Sequence, residues 1–477
     1  MPAPRSDRLE DALHRIFEGQ KTTRASWFAL TGGEILFAEG SDADTLYLLR
    51  SGRLGVFRRD HGEDRPPQFV GVIRPGEPAG EMAMLAGTHH TADVVALRDC
   101  EVLALPRDAF FEAARTEPDL MVELSRLMIQ RARDRRSGGG EPSVFGFISA
   151  RPRPIRAFIE RIAAAIEADG FTCQVIDHSA LSSAADWFSR VEDAHDFVLY
   201  VAEQDEPAWS ALCARQVDRV FILGSGVMAP PNRPMPHAGV LDAQRRTDLI
   251  LMRDPRMTRP ANTAVWLDAI QPGRWFQAVE GDQADAARMA RVVSGSAVGV
   301  VMSGGGARAY SHIGALRALH EAKVPIDFVG GSSMGAVIAA GPAMGWSQEE
   351  LEARIHKAFV ESDPLSDITF PMLAMTRAKK VDRLLQEAYG ETDLADLARP
   401  FFAVSTNLTS GKIEVHRRGL MRRAMRASIA IPGLLPPIVI DGQVLVDGAV
   451  LKNLPTEVMR QMHSGPIIGI DMSEARG

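Results

Sequence analysis

Two glycine-bearing stretches and one aspartate in this chain of 477 residues have the types and spacing for nucleophilic chemistry. Gly331-Ser332-Ser333-Met334-Gly335 is a G-x-S-x-G sequence set between an apolar run, Ile326 to Val329, and an apolar segment, Ala336 to Ala340. That strand–turn–helix setting lifts a serine hydroxyl clear of its neighbours and points it out of a sheet. A hydroxyl is a poor nucleophile unless a base takes its proton and donors hold the oxyanion that follows. The donors are supplied by Gly304-Gly305-Gly306, which follow the apolar run Val298 to Met302 and precede a stretch of helical period with Ile313, Leu316, Leu319 and His320 on one face. Bare backbone N–H groups at a helix start suit developing negative charge. A base is still needed, and Asp447, in Val446-Asp447-Gly448-Ala449, stands after another short apolar strand, 114 residues beyond Ser333.

At these residues the sequence resembles the patatin-like phospholipases. That family's pattern is a glycine-rich loop with a basic residue, a G-x-S-x-G serine and a D-G-A/G aspartate. All three occur here in the family's order: Gly304-Gly305-Gly306-Ala307-Arg308, Ser333 and Asp447-Gly448-Ala449. The neuropathy target esterase branch is closer still, through Arg426-Ala427-Ser428, the run Ile431-Pro432-Gly433-Leu434-Leu435-Pro436-Pro437, and Asn453-Leu454-Pro455. The resemblance implies Ser333 as nucleophile and Asp447 as base of a dyad, with Gly304, Gly305 and Gly306, helped by Arg308, as oxyanion hole. One residue departs from that branch: Ala309 stands where it normally has glycine.

Histidine is the usual third member of a hydrolase triad. His312 lies inside a helix and before the serine, whereas an α/β-hydrolase places its histidine last. His463 follows Asp447 but has no motif around it. Both read as packing residues, which leaves a dyad.

Hydrophobic residues at 45% and charged residues at 24% are ordinary for a globular chain, and the length suggests about three domains. A formal charge of -7 gives no hint of nucleic acid as a partner. Cys100, Cys173 and Cys213 are few and odd in number, which favours a reducing compartment. No apolar run reaches about 18 residues, and no signal-peptide core opens the chain. The expectation is a cytoplasmic protein touching the inner membrane surface at most peripherally. The chain ends at Gly477, earlier than the family usually does, so a shortened or partial member is expected.

Residues 9–18 read as a short amphipathic helix. From Trp27 to Pro106 short apolar runs are punctuated by glycine and aspartate: 35–38, 45–49, 54–57, 69–73, 92–97 and 102–105. Helices follow at 108–114 and 119–133. Strands in a roll and then helices resemble a cyclic-nucleotide-binding domain, which relatives of the esterase carry. The specific echo is Gly76-Glu77 and then Gly80-Glu81-Met82-Ala83-Met84, with Glu81 as acceptor of a ribose hydroxyl. Where nucleotide-binding members place a proline and an arginine, this chain has His89 and His90. Neutral imidazole is a weak substitute for a bidentate guanidinium. Cyclic nucleotide is therefore expected to bind weakly or not at all at Gly80, Glu81 and His90. Any residual phosphate affinity should rise toward pH 6, near imidazole's reference pKa of about 6.5. Arg131, Arg133, Arg135 and Arg136 and the three glycines after them read as a linker.

Residues 144–279 alternate apolar strands and helices, which argues for a small doubly wound, Rossmann-like parallel sheet. Gly224-Ser225-Gly226 follows a strand there and reads as an ordinary loop. After the serine turn come helices at 348–359, 379–389 and 419–428, and strands at 401–406 and 412–415. Asp441-Gly442 forms a hairpin turn between 438–440 and 444–446. The apolar run Ala430 to Ile438 could line an acyl groove, face a membrane or pack over the core.

A rival chemistry uses the same glycines. Gly304-Gly305-Gly306-Ala307-Arg308-Ala309 fits G-x-G-x-x-A, and Asp327 lies about 20 residues on, as in a dinucleotide fingerprint. Yet a ribose-binding acid belongs at the end of the second strand, where the serine turn stands. A catalytically inactive regulatory module is the third class, although nothing essential to the dyad is missing.

The expected architecture is multidomain. Residues 1–137 form a β-roll with helices, 138–295 a linker and Rossmann-like α/β domain, and 296–477 a patatin-like α/β hydrolase. The expected activity is hydrolysis of lysophospholipid or phospholipid esters through an acyl-enzyme, without metal or cofactor.

Overall fold

The computed structural model describes residues 26–58, 68–116, most of 121–128, 143–203 except 152 and 184, 207–234 except 233, 247–256, 263–369 and 374–472. The expected helix at 9–18, most of that at 119–133 and the arginine–glycine linker lie outside the described residues. The chain divides into two compact units. The first comprises Met1–Pro154, Phe171–Phe221 and Met235–Arg246, and the second Ile155–Gly170, Ile222–Pro234 and Thr247–Gly477.

In the first unit, eight short strands make two four-stranded antiparallel sheets. These are β1 (Ser26–Leu30), β2 (Ile35–Phe37), β3 (Thr45–Ser51), β4 (Leu54–Arg58), β5 (Gln68–Ile73), β6 (Pro78–Ala79), β7 (Asp93–Ala96) and β8 (Cys100–Pro106). Their orders are β1-β8-β3-β6 and β2-β7-β4-β5. Leu49, Leu54, Val94, Ala96 and Val102 share one buried cluster, so alternating side chains of both sheets close the roll. Helix α1 (Glu81–Ala86) interrupts the strands where the G-E motif was read. The same unit holds the parallel strands β9 (Val144–Ser149), β10 (Cys173–Ile176) and β11 (Phe197–Ala202). All six residues of β9 and of β11 are buried, the mark of strands covered on both faces.

Strand β12 (Arg219–Ser225) carries the chain from the first unit into the second. There β13 (Thr247–Arg253) pairs in parallel with β14 (Arg274–Val279). Leu251 and Trp266 fill the space beside Gly224, so this glycine serves packing. A seven-stranded mixed sheet forms the rest of the second unit. Its order is β19 (Ile438–Ile440), β20 (Gln443–Asp447), β17 (Phe401–Asn407), β16 (Phe328–Ser332), β15 (Gly299–Met302) and β21 (Ile467–Ile470), with β18 (Lys412–His416) also on β17.

The register of this sheet positions the chemistry. Met302 pairs with Gly331 and with Ile470, Ser332 with Val404, and Ser405 stands opposite Asp447. The carboxyl ends of β15, β16 and β17 are therefore level, where open α/β sheets place their ligands. Helix α2 (Met334–Met344) starts at the end of β16 and is almost wholly buried. Strand β16 runs to Ser332 rather than ending at Val329, because Gly330 lies under the Phe402 ring and Gly331 against the Met302 carbonyl. Neither contact has an apolar signature in the sequence.

Candidate active site

Ser333 sits at the junction of β16 and α2 with φ 53° and ψ -132°, a region that costs a non-glycine residue strain. The surroundings leave it no alternative. A Cβ on Gly335 would come within 2.4 Å of the Ser303 carbonyl, and one on Gly331 within 2.5 Å of Met302 O. The flanking glycines are thus needed for close approach of the turn to β15. The Ser333 amide donates to Ser428 Oγ at 2.9 Å, and Ser428 donates on to Val404 O at 2.7 Å.

Asp447 arrives on the hairpin expected at Asp441-Gly442, where both turn residues have positive φ. Its amide donates to Ala430 O, and its Oδ1 accepts from the Ala449 amide at 2.8 Å. Its Oδ2 accepts the Ser333 hydroxyl at 2.6 Å. Ser333 is 4% and Asp447 3% exposed. Burial pushes the Asp447 carboxyl above the usual range, partly offset by the bonds from Ser333 and Ala449. A more basic carboxylate is better matched to accepting a hydroxyl proton.

The glycine loop lies against this pair. A Cβ on Gly304 would stand 2.9 Å from Ser333 Cβ. Among the described residues the N–H groups of Gly304 and Gly305 meet no acceptor, and a 3-10 turn, Gly306–Tyr310, starts directly after them. Gly306 has φ 54° and is exposed, as is Arg308. The arrangement can deliver a serine oxygen to a carbonyl carbon, receive its proton, and hold a developing oxyanion.

The histidines stand apart from this chemistry. His312 is fully buried in α3 (Ser311–Glu321), its Nε2 donating to Ser303 O at 2.8 Å. His463 stacks on Phe328 at 4.6 Å, and burial pushes its pKa down to about 4. Asp327, the acid of the dinucleotide reading, is 1% exposed, takes two bonds from Arg291 and accepts the Val298 amide. It is committed to joining elements and does not face the glycine loop's mouth as a ribose acceptor would.

In the roll, Gly80 has φ 85° at the start of α1, and Glu81 is buried. His90 is 5% exposed and stacks on Phe37 with centroids 3.7 Å apart, its Cε1 lying 3.2 Å from where a Gly80 Cβ would be. The imidazole thus fills space beside the motif. His89 is exposed beside Asp42 at 2.9 Å. Burial pushes the His90 pKa below its usual value, so protonation of this ring needs a lower pH than its reference value suggests.

Three polar side chains around the centre had no motif of their own to reveal their contacts: Ser428, His312 and Asn453, whose Nδ2 donates to Gly304 O at 3.3 Å. Ser428 and Asn453 lie in stretches already noted for their resemblance, which was the available signal.

Comparison with known proteins matches three family models: a patatin-like phospholipase over residues 300–460, a cyclic nucleotide-binding domain over 28–117, and a neuropathy target esterase family P-loop like domain over 163–279. An uncharacterised NTE family protein of Mycobacterium tuberculosis is 32% identical over 92% of this chain and 74% of its own length. Patatin-like phospholipase domain-containing protein 7 of Rattus norvegicus is 27% identical over 94% of this chain, and protein 6 of Homo sapiens 29% over 96%. This chain spans 38% of the length of each of those two mammalian proteins.

Proposed function

This chain belongs to the neuropathy target esterase family of patatin-like proteins, and from that premise we propose that it is a serine lipid acyl hydrolase acting on lysophospholipids or phospholipids. The observation that carries the reading is the 2.6 Å bond from Ser333 Oγ to Asp447 Oδ2 beside unpaired loop amides. Asp447 takes the hydroxyl proton as Ser333 Oγ attacks the ester carbonyl carbon. The oxyanion is held by the N–H groups of Gly304 and Gly305. Collapse breaks the ester C–O bond, and the leaving alcohol takes the proton from Asp447. Water then attacks the acyl-enzyme, gives a proton to Asp447, and the fatty acid departs as Ser333 regains its hydrogen.

The 1–137, 138–295 and 296–477 segments are proposed as regulatory, scaffold and catalytic parts. The His90 ring packed against Gly80 supports a roll that works without cyclic nucleotide. Among the described residues no helix is long and apolar enough to cross a membrane. Met375, Ile431, Val450 and Leu451 are exposed on segments that adjoin the Asp447 turn, which supports peripheral contact with a lipid surface. The thiols of Cys100, Cys173 and Cys213 are buried and form no disulfide with one another, which fits a cytoplasmic setting.

The test is a screen of lysophospholipid, phospholipid and simple ester substrates with the chain and its Ser333→Ala variant. Release of fatty acid by the first and not the second is expected. Equal release by both overturns the assignment.

A further inference from the structure

The amides that would hold the oxyanion belong to two successive peptide planes, and each plane is gripped by a different side chain. Ser303 O accepts from His312 Nε2 at 2.8 Å. A carbonyl only accepts, so Nε2 carries the hydrogen and the buried Nδ1, which meets no partner among the described residues, carries the lone pair. The 303–304 peptide is trans, as are all peptides among the described residues, so its C=O and N–H point in opposite directions. With the carbonyl turned into α3, the Gly304 N–H is turned away from it. The next plane is handled the same way. Gly304 O accepts from Asn453 Nδ2 at 3.3 Å, which turns the Gly305 N–H away from Asn453.

The loop has little else to define it. Glycines leave each plane free to rotate, and a short 3-10 turn separates them from α3. On its approach side Ser303 is anchored by its amide to Ile470 O and by its hydroxyl, which accepts the Met472 amide. Past Ser303, the described side-chain bonds to the loop's carbonyls come from His312 and Asn453.

We infer that His312 and Asn453 are positioning residues that aim the Gly304 and Gly305 N–H groups before substrate arrives, a role that rests on the proposed reading of Ser333 as nucleophile. Neither side chain touches the reacting atoms. Donors fixed in advance stabilise the transition state without reorganising, and loss of one such donor costs about 10²- to 10³-fold in kcat. A donor left in place but free to swing should cost less.

The experiment compares the full chain with His312→Phe and Asn453→Leu, which keep bulk and lose the donor, and with His312→Gln, whose amide can reach the same carbonyl. Ester turnover and Ser333 labelling by a fluorophosphonate are measured, followed by crystal structures of the variants. Each donor-less variant should lose about 10- to 100-fold in kcat. KM should stay within about twofold, and His312→Gln should recover part of the loss. A packing role predicts lower stability with kcat unchanged in the folded fraction, and that result overturns the inference. If His312→Phe does not fold, Asn453→Leu and His312→Gln decide. If the unaltered chain neither turns over an ester nor takes the label, the nucleophile reading fails instead. The positioning role then stands or falls on whether the 303–304 and 304–305 peptides turn in the variant structures.

Discussion

Ser428 Oγ accepts the Ser333 amide hydrogen at 2.9 Å while donating its own hydrogen to Val404 O at 2.7 Å. One hydroxyl thus ties the strained turn to β17, the strand that also pairs with the Asp447 strand. Ser428→Ala leaves a buried N–H unsatisfied, at a cost of about 1–3 kcal/mol. Both a lower Tm and a reduced kcat are expected, from calorimetry and ester turnover on the same sample. A variant unchanged in both would show that the turn is held by packing alone.

Asp447→Asn should be nearly as damaging as Ser333→Ala, since an amide cannot accept the serine proton. The loss should exceed about 10²-fold in kcat, at the low end of what general base catalysis contributes. His312→Gln, by contrast, should lose far less than Asp447→Asn. The opposite ranking in turnover assays would mean that His312 is the base.

Burial raises the Asp447 carboxyl, and in the proposed mechanism its charged form is the base. Activity should therefore climb with pH through an acid limb lying above about 3.9, the unperturbed aspartate value. The folded chain also holds this proton more tightly than the unfolded one, so the group's stabilising contribution is present at low pH and lost as pH rises through its folded pKa. A kcat/KM profile from pH 3.5 to 8 checks the first point. A limb at or below the ordinary aspartate range would contradict it.

Arg98 is buried and paired with Glu192, which also accepts the Tyr200 hydroxyl at 3.2 Å. Glu192 raises the Arg98 pKa against the opposing effect of burial. Removing one partner strands a buried charge, at about 3–5 kcal/mol. Glu192→Ala should therefore lower the midpoint of urea unfolding of the first unit far more than Glu192→Ala with Arg98→Met. Equal effects would mean that the pair carries no coupling.

His90 is expected to exclude cyclic AMP and cyclic GMP from the roll. Calorimetry on the full chain at pH 7.5 should show no binding, and any gain on acidification should begin at lower pH than for an unburied imidazole, since burial lowers the His90 pKa. His90→Ala should open space beside Gly80. Tight binding by the unaltered chain would place the phosphate elsewhere.

Much of the candidate site was legible because its signals are local. A glycine-flanked serine between two apolar segments, a glycine cluster after a strand, and an Asp-Gly turn before Asp447 are each written within a few residues. Local signals also existed for elements the reading passed over. Asp282 caps the helix Gln283–Ser294 by accepting the Ala284 and Asp285 amides, and Gly295 closes it with φ 74°. Strand β14 and strand β21 were missed as well, although Trp275, Phe276 and Val279 in the first and three isoleucines in the second are apolar.

The sequence by itself determined which residues can be nucleophile, base and oxyanion donors, because those roles depend on side-chain type and turn chemistry. Only the tertiary structure decided that they meet. Asp447 reaches Ser333 because β17 lies between β16 and β20, and the register sets Ser405 opposite Asp447. That pairing joins segments far apart in the chain and leaves no periodic trace in either. The same holds for His312, Asn453 and Ser428, whose single hydrogen bonds depend on where a distant backbone carbonyl or amide comes to rest. It holds too for His90, whose lowered pKa follows from burial and could not be read from the residue's reference value.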